Sequence, residues 1–421
     1  MTLPDTTARG LVNWSGTYRY AFEKILAPAS VRELQDLVAG ASQVKVVGSR
    51  HSFNGIADGI HAVSVAGLPP AIEVSSDRQT VTVPAGITYG ALARDLHKEG
   101  LALANLASLP HISVAGAIAT ATHGSGRNNG NLATAVEGIQ FVLANGELFE
   151  LSAGEASFDG AVVHVGALGV VYRLTLKVER EFQIAQRVYE NLPWDVVIEN
   201  FAELMSAAYS VSVFTGRAQQ AAQVWLKQRS DWPDLPATLF GARTATRDLH
   251  PLPRLDPANC TPQLGVPGLW SDRLPHFRME FTPSNGEEIQ SEFHIPAACG
   301  PEAIRALLPL RDTLSHVLQV LEIRSIKADS LWLSPQYHRD SVAFHMTWDP
   351  DVASVDAAVR LVEQALSPFD PRPHWGKVFT RTQPAVAAKY ERHGDFISLQ
   401  QKLDPDGKFA NDWLRANVLG E

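Results

Sequence analysis

Four stretches of the 421-residue chain combine residue types that can do chemistry. The first, Val46-Val47-Gly48-Ser49-Arg50-His51-Ser52-Phe53-Asn54, runs from an apolar strand pattern into a Gly/Ser turn. Successive backbone N–H groups in such a turn cradle a pyrophosphate, and Gly48 admits the positive φ that a concave nest needs. An ordinary strand-to-loop turn has the same composition, and GxGxxG is absent, so nothing here reads as a Rossmann fingerprint. The second stretch, Ser113 to Gly126 (SVAGAIATATHGSG), has Gly, Ala, Ser or Thr at eleven of fourteen positions. Small side chains let the backbone approach a flat or phosphorylated ligand while hydroxyls and amides donate to it, although a tightly packed helix or strand looks alike.

The third constellation is Leu321-Glu322-Ile323-Arg324-Ser325-Ile326. Strict alternation makes it a strand with Leu321 and Ile323 on one face and Glu322 and Arg324 on the other, roughly 6 to 7 Å apart. Phe344-His345-Met346-Thr347-Trp348 repeats the pattern, with His345 and Thr347 sharing a face. Two such strands side by side line a polar pocket floor; taken singly, each equally fits a solvent-exposed face with a surface ion pair. The fourth is His374-Trp375-Gly376-Lys377, where a Trp beside a Gly suggests burial and an ammonium held close to its partner.

The elements that must position these residues follow from apolar periodicity. VKVVG, VTVPAG, IQFVLANG and VVYRLTLKV, beginning at Val44, Val81, Ile139 and Val170, are β-branched runs bounded by turn residues and predict strands. Ser30 to Ala39, with Ser30 as cap and Glu33 three residues on, and Tyr89 to Glu99, stopped by Gly100, predict helices. From about Glu179 the texture changes. Strands are expected at Ser210–Thr215, Gln223–Lys227 and Arg278–Phe281, helices at Pro301–Val320 and Val352–Leu366, and a proline-rich stretch from Pro233 to Pro283. No fixed period repeats, which excludes solenoids and propellers.

Composition narrows the function classes. Hydrophobic residues make up 45% and charged residues 19%, which excludes disorder as the main state. The net charge of −9, the pI near 5.9 and the lack of any basic run leave no footprint for nucleic acid. Cys260 and Cys299 are too few for a disulfide framework, and a reducing compartment suits them. MTLPDTTARG has neither the basic nor the apolar region of a secretory signal, and the longest apolar stretch, Ala161 to Val171, is about half a membrane span. A soluble cytoplasmic protein with no membrane partner is expected. The 14 histidines are scattered and expected to be mostly structural or exposed. HExxH, GxSxG and GxxxxGK[ST] are absent, as is any His/Cys/Asp cluster at metal spacing, so no metal is expected. Asp404 to Asp412 (DPDGKFAND) reads as a turn, too loosely spaced for an EF-hand loop.

GSRHSFN, ASLPHISVAGAIATATHGSG, GALGVV, LEIRSI and HWGKVF, in that order, resemble the flavoproteins of the vanillyl-alcohol oxidase type, most closely alditol oxidases, relatives of gulonolactone and aldonolactone oxidases. The likeness runs from about residue 10 to the C-terminus. It implies an α+β fold: an FAD-binding domain over residues 1–178, a substrate-binding cap domain with an antiparallel sheet over 179–369, and a segment over 370–421 returning to the FAD domain. His51 matches the histidine joined to the 8α-methyl of the flavin. With no cysteine between His51 and Cys260, a single histidyl bond to FAD is expected. Further flavin contacts are implied at Val46, Val47, Gly48, Ser49, Arg50, Ser52, Ser108, Ser113, Gly116, Ala117, Ile118, Ala119, Thr122, His123, Gly124, Val170 and His374. Arg324, Lys377, Glu322 and His345 correspond to catalytic positions, and Ser108, Glu322, Arg324, Thr347 and Lys377 to substrate contacts. Ala107 occupies a position that affects oxygen access in related enzymes. The expected activity is oxidation of the terminal CH–OH of an alditol such as xylitol or sorbitol to the aldose, with dioxygen reduced to hydrogen peroxide. An aldonolactone oxidase or dehydrogenase is the alternative within the family, and a flavin carrier without turnover the alternative outside catalysis. Nothing in the sequence sets an oligomeric state.

Overall fold

The computed structural model describes residues 11–217, 221–252, 255–280, 286–381, 384 and 386–421. Its first helix, Val31–Gly40, starts where the capping pattern places it. Ser30 Oγ accepts from the Glu33 N–H at 3.2 Å, and Glu33 Oε2 accepts from the Ala29 N–H at 2.8 Å. Helix Tyr89–Lys98 is capped by Thr88, and Gly100, at φ 63°, turns the chain out of it.

The β-branched runs of the N-terminal part build two sheets. A small parallel sheet has the order Ile25–Leu26, Ala62–Val63, Lys45–Val46. A five-stranded antiparallel sheet has the order Glu73–Val74, Thr80–Pro84, Val170–Lys177, Val136–Val142, Leu148–Ser152. Leu34, Val38, Leu92, Leu96, Ile139 and Leu174 meet in one apolar core, which also takes Phe396, Leu403, Phe409, Leu414 and Val418 from the end of the chain. The turn at Asp404 secures that return. Its carboxylate accepts from the N–H groups of Lys408 at 2.8 Å and Phe409 at 2.9 Å, while Lys408 Nζ donates to the carbonyls of Val38 at 2.8 Å and Ala144 at 2.6 Å.

The rest of the chain builds a large antiparallel sheet. Its order is Thr238–Leu239, Ala242–Thr244, Gln183–Pro193, Ala221–Arg229, Ser210–Gly216, Leu318–Ile326, Ser341–Trp348, Ile289–Pro296, Arg372–Pro373. One face packs Val211, Val213, Ile323, Phe344 and Met346 against Val197, Ile304, Val355 and Val359, which come from the helices Trp194–Glu199, Gly300–Leu307 and Val352–Leu366. The opposite face meets the N-terminal part.

Two expected elements differ. Pro301–Val320 is not one helix: Gly300–Leu307 ends at a 3-10 turn holding Pro309, Arg311–Leu314 adds one more turn, and a strand begins at Leu318. Pro309 lacks the N–H that would continue the α-helical ladder. Arg278–Phe281 is not a strand over its described residues, and residue 281 lies outside them. Phe277 forms an isolated bridge with Cys260, and the Met279 carbonyl is taken by His111 Nε2 at 2.9 Å in place of a ladder.

Candidate active site

Strand register assembles the site. Pairing sets Phe214, Glu322, His345 and Glu292 side by side across four strands, with Arg324 opposite Ser212 and Thr347 opposite Gln290. Because side chains alternate along a strand, Ile323, Phe344 and Phe293 enter the apolar layer while the polar neighbours share the other face. The N-terminal part closes onto that face. Arg324 Nη1 donates to Ser108 Oγ at 3.2 Å, His123 Nε2 pairs with Glu292 Oε1, and Thr122 Oγ1 lies 3.3 Å from His374 Nε2. Lys377 reaches in from the chain beyond the last strand, its Nζ paired with Glu292 Oε2 and 2.7 Å from His345 Nδ1. Thus Ser108, Thr122, His123, Glu322, Arg324, His345, Thr347, His374 and Lys377, spread over three regions of sequence, lie in one place.

The electrostatics are those of two buried carboxylates among cations and neutral imidazoles. Glu322 Oε1 pairs with His276 Nε2 at 2.9 Å and lies 3.3 Å from Arg324 Nε, an ion pair without hydrogen-bond alignment. Burial raises the Glu322 carboxyl, but Arg324 and His276 outweigh it and hold the group well below its ordinary value. Burial likewise raises Glu292, and Lys377 and His123 overcome it. Burial brings both His276 and His345 down to about 4, so each is neutral near pH 7. Lys377 is lowered by burial, with Glu292 opposing the shift.

The glycine-rich segments form the other wall. Ser113 N–H donates to Ser49 Oγ at 3.1 Å, joining the two segments. A Cβ on Gly48 would run into Ser113 Oγ, and one on Gly116 would lie 2.8 Å from it. Left-handed backbone occurs at Arg50 (φ 59°), Ala121 (φ 52°), Val165 (φ 48°) and Gly166 (φ 77°), one or more in each of the three segments implied for the flavin. For a β-branched residue such as Val165 this conformation is strained, and strain of this kind gathers at ligand clamps. His51 stacks on Trp14 with ring centroids 5.1 Å apart, and burial lowers it to about 4. Its Nδ1 faces the Ser49 carbonyl at 3.1 Å, which only accepts, while Nε2 is buried without a partner. A neutral imidazole with a nitrogen unclaimed by protein, beside two segments that tolerate no Cβ between them, fits a flavin nucleotide. Val47, Ala117, Ile118 and Val170 point into the cores, so their approach to such a group is through backbone.

Glu292, His276 and His294 escaped the sequence reading. Gln290-Ser291-Glu292-Phe293-His294-Ile295 carries the same alternation as the two strands singled out, so a signal for Glu292 and His294 was present; His276 sits in a loop with no periodic signal. Five of the 14 histidines, His123, His276, His294, His345 and His374, converge here because each lies on a strand or segment that faces the polar layer. His123, Glu292 and His294 bring three ligand-type atoms within 4.8 Å of one another. The Gln336 amide donates to His294 Nδ1 at 2.8 Å, which leaves the ring proton on Nε2, 3.4 Å from Glu292 Oε1 but without hydrogen-bond alignment.

The chain is similar to known proteins over nearly its whole length. The family profile described as an FAD binding domain matches residues 22–152, and that described as D-arabinono-1,4-lactone oxidase matches residues 282–417. The chain is 46% identical over 413 residues to an alditol oxidase of a Streptomyces species, covering 96% of this chain and 98% of that one. It is 29% identical to an L-gulono-1,4-lactone dehydrogenase of Mycobacterium tuberculosis, with 97% of this chain and 98% of that one covered, and 27% identical to the L-gulonolactone oxidase of Mus musculus, with 96% of each covered. Among solved structures, a cholesterol oxidase of Brevibacterium sterolicum superposes with a TM-score of 0.79 at 13% identity, covering 99% of this chain and 100% of that one, a likeness of fold. No described helix is long and apolar enough to cross a membrane.

Proposed function

The chain belongs to the alditol oxidase family of FAD-dependent oxidoreductases, and from that premise we propose that it oxidises the terminal CH–OH of linear polyols such as xylitol and sorbitol to the aldose, with dioxygen reduced to hydrogen peroxide. The observation that carries this reading is the convergence of Ser108, Glu322, Arg324, His345, Thr347 and Lys377 on one buried polar face, against the segment bearing His123.

FAD, held by the glycine-rich segments around Gly48 and Gly116, would supply the hydride acceptor. Glu322, kept ionised, has Oε2 available to accept hydrogen bonds from adjacent substrate hydroxyls, because its other oxygen is turned toward His276 and Arg324. Arg324 and Lys377 hold positive charge where the hydroxyl loses its proton and negative charge develops. Neutral His345 presents Nε2, 3.3 Å from Thr347 Oγ1, on the same face. We also propose the remaining assignments: flavin joined covalently to His51, the contacts implied for the glycine-rich segments, a division at residues 178 and 369, and a cytoplasmic location.

A substrate that leaves these buried groups unpaired costs about 1 to 3 kcal/mol for each. Polyols with three or more successive hydroxyls pair them, whereas ethanediol, with only two, leaves some unpaired, so xylitol and sorbitol are expected to exceed ethanediol in kcat/KM by roughly 10² or more. Peroxide production and anaerobic flavin bleaching across xylitol, sorbitol, glycerol, ethanediol and galactono-1,4-lactone test this. The match of residues 282–417 to the lactone oxidase profile favours a second reading, oxidation of an aldonolactone. A lactone turned over faster than xylitol selects it, and bleaching without peroxide selects a dehydrogenase.

A further inference from the structure

Glu292 has no part in the reaction as drawn above, yet its fully buried carboxylate joins both halves of the molecule. Oε1 pairs with His123 Nε2 from the N-terminal part. Oε2 pairs with Lys377 Nζ, lies 2.8 Å from His345 Nδ1, and is 3.7 Å from Arg324 Nη2. A chain of polar groups backs it, ending in an imidazole 3.4 Å away without hydrogen-bond alignment. Asn131 Oδ1 accepts from the Ala133 N–H at 2.9 Å, so Asn131 Nδ2 donates to Gln336 Oε1 at 3.0 Å; Gln336 Nε2 then donates to His294 Nδ1, and His294 turns its protonated Nε2 toward Glu292.

We propose that Glu292 is a positioning residue that holds Lys377 in the site as an ammonium ion and thereby keeps its amine from condensing with the aldehyde product. This rests on the polyol-to-aldose reading. Burial works against the Lys377 charge, Arg324 repels it, and the imidazoles of His294, His345 and His374 are neutral there. Glu322 attracts it, but that carboxylate is already engaged by Arg324 and His276. Only Glu292, of the described groups, pairs directly with Nζ through an ionised oxygen. An unprotonated Nζ would attack the aldehyde carbon, forming a C–N bond, while the carbonyl oxygen leaves as water with the two amine protons, giving an imine. An ammonium has no lone pair for that step.

The test is reductive alkylation of the holoenzyme at pH 7 with glycolaldehyde, a small stand-in for the aldose, and cyanoborohydride as the hydride source for any imine, followed by peptide mapping by mass spectrometry. Lys98, whose side chain is 71% exposed, serves as the internal reference. In the parent, the alkylation of Lys377 relative to that of Lys98 sets the baseline. In Glu292→Gln, Lys377 is expected to gain alkylation roughly tenfold for each unit by which its pKa falls, and the alkaline loss of flavin reduction by xylitol should move to lower pH by the same amount. Glu292→Asp, which keeps the charge on a shorter arm, should fall between the two and carries the comparison if the glutamine variant does not retain flavin. A Lys377-to-Lys98 ratio no higher in a folded, flavin-loaded Glu292→Gln than in the parent overturns the proposal. Alkylation needs no turnover, so failure of every polyol to bleach the flavin would remove the substrate reading and leave the labelling result standing.

Discussion

Arg324→Ala removes the one guanidinium, among the described residues, that lies between both site carboxylates, 3.3 Å from Glu322 Oε1 and 3.7 Å from Glu292 Oε2, while also donating to Ser108. Loss of one charge from a preorganised site costs about 2.7 to 4 kcal/mol of transition-state stabilisation, or roughly 10²- to 10³-fold in the rate of flavin reduction. Breaking a buried ion pair also costs about 3 to 5 kcal/mol of stability, because the abandoned charge stays buried. Here the second cost is softened: Glu322 keeps His276 and Glu292 keeps Lys377 and His123. Arg324 is the leading attraction that lowers the Glu322 carboxyl, so its removal lets burial raise that group. Reduction should therefore acquire a new loss of rate on the acid side, as Glu322 takes up a proton at higher pH than in the parent. Anaerobic stopped-flow bleaching by xylitol from pH 5 to 8, with reoxidation by dioxygen measured separately, reads both effects. Arg324→Lys separates charge from shape, restoring part of the rate without the forked contact. Reduction within about a factor of two of the parent, with no change in pH profile, would refute the assignment of charge stabilisation to Arg324.

His51→Ala should release the flavin into the supernatant when the protein is precipitated with acid, whereas the parent chain stays yellow; free flavin recovered from the parent would remove the covalent bond and leave FAD binding intact. Gly48→Ala drives a Cβ into Ser113 Oγ and should lower the flavin-to-protein absorbance ratio, with Ser113→Ala in the same chain recovering part of it; full loading of the single variant would show that the two segments separate freely. His276 and His345, held near 4 by burial, are neutral when folded and take up protons when unfolded, so between about pH 6.5 and 4 the unfolded chain binds more protons and stability drops as pH falls. Glu322 and Glu292, with carboxyls depressed in the fold, add a further loss at still lower pH, as protons reach them. The melting temperature should accordingly be lower at pH 5 than at pH 7 at matched ionic strength, and equal values would contradict the burial of neutral imidazoles.

Alternation alone made Leu321–Ile326 and Phe344–Trp348 legible as two-faced strands, since a period of two is a local property that needs no partner. The cap at Ser30, the stop at Gly100 and the helix Val352–Leu366 were legible for the same reason, because each rests on contacts between residues near in sequence. The Pro301–Val320 pattern misled because its apolar periodicity runs on through Pro309, where the backbone cannot.

The sequence by itself determined which residues share a face, which loops admit close backbone approach, and, through ordered motifs, the flavoprotein family. Only the tertiary structure decided that the face of Glu322 and Arg324 is covered rather than wet. That choice depends on register: Glu322 opposite His345, and His345 opposite Glu292, is set by pairing between separate strands, which no single strand's alternation fixes. Glu292 shows the limit most clearly. Its alternation with His294 was present in QSEFHI, but nothing within that stretch says that Lys377, 85 residues on, and His123, 169 residues back, will meet its two oxygens. A carboxylate becomes the hub of a site through the low-dielectric contacts around it, and those exist only once the chain has folded.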